Sequence, residues 1–395
     1  MIFMEKKFDF DRRIQRRGTH SVKWHVPENE LPMWVADMDF ETAPAVLEAI
    51  QTRAAHGVFG YTYLPEEWYA AIQSWWQDRH QFSISKEWLL FSTGVIPSVS
   101  SIIRHMTAEG SQILVQTPVY HAFFHSIQDN GREILESPLE NTDGVYSICY
   151  ERLERDLADE KTQMMILCNP HNPIGRFWSA EELEKIGALC ARYGVTVLSD
   201  EIHCDLADPG YAYVPFASLN RECAENSITC IAPTKAFNLA GIQSSAVIIP
   251  NAELRSRVRK ALRTDHITSP SCFAVEAAIA AFAKGGSWLD ALCAYVAENK
   301  RLVRSFVERE LQDIRVTPSA ATYLLWLDCG QLTEDSEEFA KFLRKETGLY
   351  VNAGSIYNGD GNRFLRMNVA CPRSMVEDGL QRLQKGVLLW KQTHQ

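Results

Sequence analysis

Hydrophobic and polar positions along the chain change their period several times, and those changes divide it. Apolar runs short enough to be buried strands occur at residues 88–91, 111–116, 132–136, 163–168, 195–199, 228–232 and 245–249. Between most of them the apolar positions space out to three and four residues, the period of a helix with one buried face, notably over 97–108, 150–158 and 179–193. Short apolar strands alternating with amphipathic helices predict a mainly parallel sheet covered on both faces, an α/β domain. After Gly285-Gly286 the pattern changes to a long helix over 287–311, a strand at 322–328, a helix at 335–346, short strands near 349 and 364 and a final helix from about 373. That order predicts a smaller α+β lobe.

The first 40 residues are irregular, broken by Gly18, Pro27 and Pro32, and read as an arm. Thr42 is expected to cap a helix that begins near Pro44 and carries Val46, Leu47, Ile50 and Ala54. A loop, Gly60-Tyr-Thr-Tyr-Leu-Pro65, separates it from a second helix with Trp68, Ile72, Trp75 and Trp76. The expected division is therefore an arm and first helix over 1–50, packing with the small lobe, a large domain over 51–285 and a small C-terminal domain over 286–395. No repeat or low-complexity tract interrupts it.

At 395 residues the chain is long enough for this two-part arrangement. A net charge of -10 argues against a nucleic-acid binder, which normally carries a basic face. The ten cysteines are scattered singly, with no C-x-x-C pair, and read as reduced, mostly buried thiols. The N-terminus brings in charge early and lacks the apolar core of a signal peptide, and no run reaches the length of a membrane span. The expectation is a cytoplasmic enzyme that acts on a small molecule, with no membrane partner.

Candidate chemistry collects at the ends of the predicted strands, where the sites of α/β proteins lie. The strand 228–232 runs into Pro233, Thr234 and Lys235, a single lysine in a nearly uncharged stretch. Shielded by Ala236, Phe237 and Leu239, its amine would be held neutral and nucleophilic; otherwise it snorkels from a loop. Gly94 breaks the strand near 90 and opens a helix, so that the N–H groups of Gly94, Val95 and Ile96 form either a phosphate seat or a plain turn. No G-x-G-x-x-G and no G-x-x-x-x-G-K-[ST] is present, which removes the signatures of dinucleotide and P-loop sites.

Tyr120 follows the strand at 111–116 and either lays its ring on a flat ligand or belongs to the core. His121 and His125 are four apart but lack a third ligand, so they read as helix-surface histidines rather than metal ligands. In Asn169-Pro-His-Asn-Pro-Ile-Gly175 two Asn-Pro steps and a glycine hold Asn172 in a rigid turn. Asp200 ends the strand at 195–199. It has no companion carboxylates spaced for a metal, and it can instead hold a protonated ring nitrogen, with Glu201 and His203 beside it.

Gly94, Tyr120, Asn172, Asp200 and Lys235 stand in that order along the chain. Together they resemble the aspartate-aminotransferase-like enzymes, fold type I of the pyridoxal 5'-phosphate (PLP) proteins. Trp34-Val-Ala-Asp-Met-Asp-Phe40, Asn169-Pro-His-Asn-Pro-Ile-Gly175, Ser199-Asp-Glu-Ile-His203 and Thr234-Lys-Ala-Phe-Asn-Leu-Ala-Gly241 narrow the resemblance to the MalY/PatB branch of cystathionine β-lyase-type carbon-sulfur lyases. The resemblance implies a PLP-transferase fold and a homodimer with shared sites. It further implies that Lys235 forms a Schiff base with PLP, Asp200 pairs with the ring nitrogen, Asn172 bonds the phenolic oxygen, and Tyr120 stacks on the ring. Thr234, His203 and the N–H groups at Gly94, Val95 and Ile96 join them as cofactor contacts. Tyr61 would reach the phosphate of the neighbouring subunit, and Arg366, with Ala36 and Tyr61, would meet the substrate, the guanidinium clamping its α-carboxylate. One departure is visible: where many relatives carry a basic residue eight positions after the lysine, this chain has Gln243.

The implied reaction is α,β-elimination from a sulfur-bearing amino acid, with Lys235 removing the Cα proton and a thiol, pyruvate and ammonia as products. An aminotransferase would use the same residues. A regulatory, partner-binding protein on the same fold is the reading from another class, although no spare basic segment of domain size is present for DNA.

Overall fold

The computed structural model describes residues 8–394; residues 1–7, which carry much of the argument against a signal peptide, lie outside them. Seven strands form the large sheet: β1 (Leu89–Ser92), β2 (Gln112–Val115), β3 (Glu133–Glu136), β4 (Thr162–Cys168), β5 (Thr196–Asp200), β6 (Ser227–Ile231) and β7 (Ser245–Ile248). Their spatial order is β1-β7-β6-β5-β4-β2-β3. The strands alternate side chains between two cores, as their period of two requires. In β4, Met164, Ile166 and Cys168 join Val99 and Ile103 of the helix Val95–Met106, whereas Met165 and Leu167 join Leu183 and Ile186 of the helix Ala180–Arg192. Burying each such side chain contributes about 1.5–3 kcal/mol, enough in aggregate to hold the sheet rigid beneath its loops.

All neighbouring pairs are parallel except the two that β7 makes. A parallel return needs a crossover, usually helical, and residues 232–244 supply only a short turn at Ala240–Ile242. The chain therefore comes back antiparallel, and the lysine-bearing loop is the connection itself. Because β1, β2, β4, β5 and β6 all run the same way, the loops carrying Gly94, Tyr120, Asn172, Asp200 and Lys235 leave from one edge.

Beyond the helix Gly286–Glu310 a four-stranded antiparallel sheet runs in the order Arg315–Val316, Leu324–Asp328, Phe364–Asn368, Asn352–Ala353. The helices Ser336–Thr347 and Arg373–Thr393 pack together over this lobe. The arm joins it directly, since Leu31–Pro32 pairs in parallel with Leu349–Tyr350. Gly348 allows that approach: at φ +72° it ends the helix, and a Cβ there would sit 2.4 Å from the carbonyl oxygen of Asn29.

Several expectations are corrected. The first helix, Pro44–Ala55, packs mainly against Cys272–Lys284, inside the span expected for the large domain, rather than on the small lobe with the arm. Thr42 does not cap it; Ala43 stands at the cap, and the Thr42 hydroxyl donates instead to the Phe237 carbonyl at 2.7 Å. The helices Ala252–Thr264 and Cys272–Lys284 and the hairpin Glu140–Thr142/Val145–Ser147 were not singled out from the pattern. No described helix is long and apolar enough to cross a membrane.

Candidate active site

Lys235 owes its place to a tight turn after β6. The N–H of Phe237 donates to the Pro233 carbonyl and that of Leu239 to the Thr234 carbonyl, both at 2.9 Å. Phe237 is buried against Trp75 and Trp288, which roots the turn in the core. Asn238, at φ +55°, then locks the turn onto the arm. Its Oδ1 accepts from the Met38 N–H at 3.0 Å, and its Nδ2 donates to the carbonyls of Met38 and Phe40 at 3.1 and 2.9 Å.

Successive carbonyls of the arm are each held by side chains. Arg366 Nη2 and Asn352 Nδ2 donate to Trp34 at 2.9 and 3.1 Å, and Asn368 Nδ2 donates to both Val35 and Asp37 at 2.6 Å. Ala36 O accepts from Lys235 Nζ at 2.7 Å and from the Tyr323 hydroxyl at 3.0 Å. A buried charge cluster anchors the next turn, where Asp39 meets Lys23, Arg16 and Trp24 Nε1, each at 2.7 Å, and Asp37 meets Arg16 at 2.7 Å. Burial pushes the Asp39 pKa up, but Lys23, Trp24 and Arg16 together outweigh it and hold the carboxylate ionised.

These elements enclose a cavity of about 250 Å³ lined by Ala36, Gly94, Val95, Ile96, Tyr120, Asn172, Asp200, His203, Thr234 and Lys235. The structure thus brings together every sequence-derived candidate except Arg366 and Tyr61. Thr93, Pro97, Cys168, Ile202, Ala240 and Gln243 complete the lining and lacked a sequence signal of their own, apart from Gln243 as a departure. Arg366 is buried behind the wall, its Nη1 donating to Asn172 Oδ1 at 3.2 Å, while its Nε has no partner among the described residues. Tyr61 is fully exposed, on a loop where Val58, Phe59 and Tyr63 are exposed too, and does not reach the cavity of its own chain.

Burial lowers the Lys235 pKa to about 8, with Arg366 adding to the effect and Asp37 and Asp200 opposing it. Burial raises Asp200 to about 6 against the Ile202 N–H and Lys235. His203 is buried and kept neutral by desolvation, then by Lys235 and Arg366, and its Nδ1 has no partner among the described residues. Burial likewise raises the Tyr120 pKa, so its hydroxyl stays protonated. The helix Val95–Met106 opens at extended Gly94 with no side-chain cap, leaving its first N–H groups for a ligand. A raised carboxylate, an orphaned imidazole nitrogen, an uncapped helix end and a depressed lysine suit a flat ligand with a basic ring nitrogen, a carbonyl and an anionic group. Elsewhere His80, Cys204 and Asp205 gather, but Asp205 Oδ1 already meets His80 Nε2 and Trp75 Nε1 at 2.9 Å.

Comparison with known proteins agrees with this geometry. The chain is 41% identical to cystathionine beta-lyase PatB of Bacillus subtilis, over 95% of this chain and 99% of the relative, and 33% identical to Protein MalY of Escherichia coli, over 94% and 97%. The fold superposes on the PLP-bound C-S lyase of Staphylococcus hominis with a TM-score of 0.91 at 32% identity, covering 96% of this chain and 98% of that one. The family described as aminotransferase class I and II matches residues 29–383, so cavity, topology and sequence converge, and the chain belongs to that family.

Proposed function

We propose that the protein is a PLP-dependent carbon-sulfur β-lyase that cleaves a cystathionine-like amino acid to pyruvate, ammonia and a thiol. The observation that carries this is the full-length likeness to PatB, with Lys235 and Asp200 lining one cavity. PLP, when bound, supplies an electron sink for charge developing at the substrate Cα.

Lys235 is the anchor and the base. With its pKa near 8, a useful share of the amine is free near neutral pH to take the Cα proton. With PLP bound, Asp200, whose pKa burial raises to about 6, would hold a proton at the ring nitrogen and keep its own carboxylate ionised by that pairing. Asn172, its Oδ1 already engaged by Arg366, has its amide N–H groups free among the described residues and would donate them to the phenolic oxygen. Tyr120 would cover the ring face, and His203 would offer a neutral imidazole. Thr234 and the N–H groups at Gly94, Val95 and Ile96 receive the phosphate. Among the described residues, Lys235 and His203 are the only ones lining the cavity that can carry positive charge, so these neutral donors bear most of that anion. Arg366 is placed to clamp the α-carboxylate, with the Ala36 segment of the arm closing over the substrate.

The active unit in this proposal is a cytoplasmic homodimer in which Tyr61 reaches the partner's phosphate; the exposed apolar loop around it supports a protein contact there. Transamination is the second reading, favoured by the family's description and by the fact that every residue named would serve it equally. L-Cystathionine supplied without a keto acid separates the two: elimination yields pyruvate, and transamination does not turn over.

A further inference from the structure

We propose that Tyr323 is a positioning residue for Lys235: its hydroxyl shares the Ala36 carbonyl with the lysine amine and thereby limits how tightly that carbonyl holds the lysine back from the cavity. The inference rests on the reading of Lys235 as the reactive amine.

Two donors converge on one oxygen, Lys235 Nζ at 2.7 Å and Tyr323 Oη at 3.0 Å. A carbonyl oxygen has a lone pair for each of two donors, but each donor withdraws electron density from it, so each bond is somewhat weaker than it would be alone. The carbonyl cannot move away from this competition, because Asn368 fixes the flanking carbonyls of Val35 and Asp37. The tyrosine ring is fully buried beside the imidazole of His203, at 6.1 Å between centroids.

The backbone approach is unusual as well. Thr322, a β-branched residue, sits at φ +62°, a region such residues rarely occupy. It is held there by donation from its N–H to the Leu206 carbonyl and by acceptance at its Oγ1 from the Leu324 N–H. This turn carries the chain from the Ala207–Ala321 bridge into the strand Leu324–Asp328 with Tyr323 against the arm. Strain kept at the residue before a buried hydroxyl that reaches the reactive lysine points to a functional placement.

The charged and titratable groups facing Lys235 are Arg366, Asp37 and Asp200, with His203 alongside, and those facing Tyr323 are Asp37, Arg366 and Tyr120. None of them changes in Tyr323→Phe, which also keeps the buried ring. The lost donor leaves Ala36 to the lysine alone, strengthens that bond and favours the ammonium.

The test is the rate at which the full chain, stripped of PLP, recaptures it, followed by absorbance across pH. The parent profile should inflect near pH 8. In Tyr323→Phe the inflection should rise by about half a unit, with about threefold slower capture at pH 7. Site-specific 3-fluorotyrosine at position 323, a stronger donor that preserves the packing, should move it the opposite way, and it serves alone if Tyr323→Phe does not fold. Inflections unchanged in whichever of these variants fold would overturn the proposal. If Lys235→Ala still captures PLP with the parent profile, the fault lies in the assignment of Lys235 rather than in that of Tyr323.

Discussion

Asn238→Ala tests the clamp between the lysine loop and the arm. The change removes three hydrogen bonds to the backbone of Met38 and Phe40. At a net contribution of about 1 kcal/mol each, this is about 3 kcal/mol. One of the three matters less, because the Met38 carbonyl also accepts from Arg16 Nη1 at 2.9 Å, which reduces the figure to about 2 kcal/mol. Alanine must also adopt the φ of +55° that asparagine tolerates better, adding about 1 kcal/mol. The expected loss is therefore about 3 kcal/mol, and Asn238→Gly, which relieves the backbone part, should lose about 1 kcal/mol less. Urea unfolding of the PLP-free chain, followed by tryptophan fluorescence, measures both variants against the parent. A loss below about 0.5 kcal/mol in Asn238→Ala would show that the loop is held by packing alone and would refute the clamp.

Protonation gives a second expectation. The folded pKa of Lys235 lies near 8, below the ordinary lysine value of 10.5, so between these values the unfolded chain binds more protons and stability rises with pH. Lys235→Met should stabilise the PLP-free chain at pH 7, and its advantage should shrink above pH 8; a gain that does not change with pH would contradict the assigned shift. Asp200 runs the other way: its pKa is raised from 3.8 to about 6, so its contribution is intact below pH 4 and is lost as the pH passes 6. Asp200→Asn should therefore stabilise the PLP-free chain at pH 8 while lowering turnover strongly, and normal turnover would remove Asp200 from its role. Gln243→Arg should tighten PLP about tenfold at low salt, since among the described residues only Lys235 and His203 line the cavity as possible cations; an unchanged dissociation constant would place the phosphate away from Gln243. Mixing inactive Tyr61 and Lys235 variants should restore some activity through mixed dimers, and continued inactivity after verified subunit exchange would end the shared-site proposal.

The parallel core of the fold was legible because buried strands leave short apolar runs, and β4, β5 and β6 fall within a residue or so of those runs. The candidate site was legible for a related reason. Strands running one way deliver their following residues to one edge, so Gly94, Tyr120, Asn172, Asp200 and Lys235 line one cavity although about 140 positions separate the first from the last. What escaped the pattern depends on contacts between distant segments. Thr42 looks like a helix cap in its local sequence, yet the Phe237 carbonyl, far along the chain, takes its hydroxyl. Asn368 and Tyr323 carry no local mark of their tie to the arm, since each meets a backbone carbonyl more than 280 residues away. The antiparallel entry of β7 followed from the lack of a helix in the lysine loop, an absence that periodicity alone does not flag. Tyr61 stands in solvent within one chain, and its assigned role needs a second copy.

The most direct measurement is the product balance with purified, PLP-loaded protein and L-cystathionine in the absence of any keto acid. The account predicts pyruvate and free thiol appearing together in equal amounts with the parent protein and neither with Lys235→Ala. Turnover that begins only when a keto acid is added, with no thiol released, would contradict it and make the protein an aminotransferase.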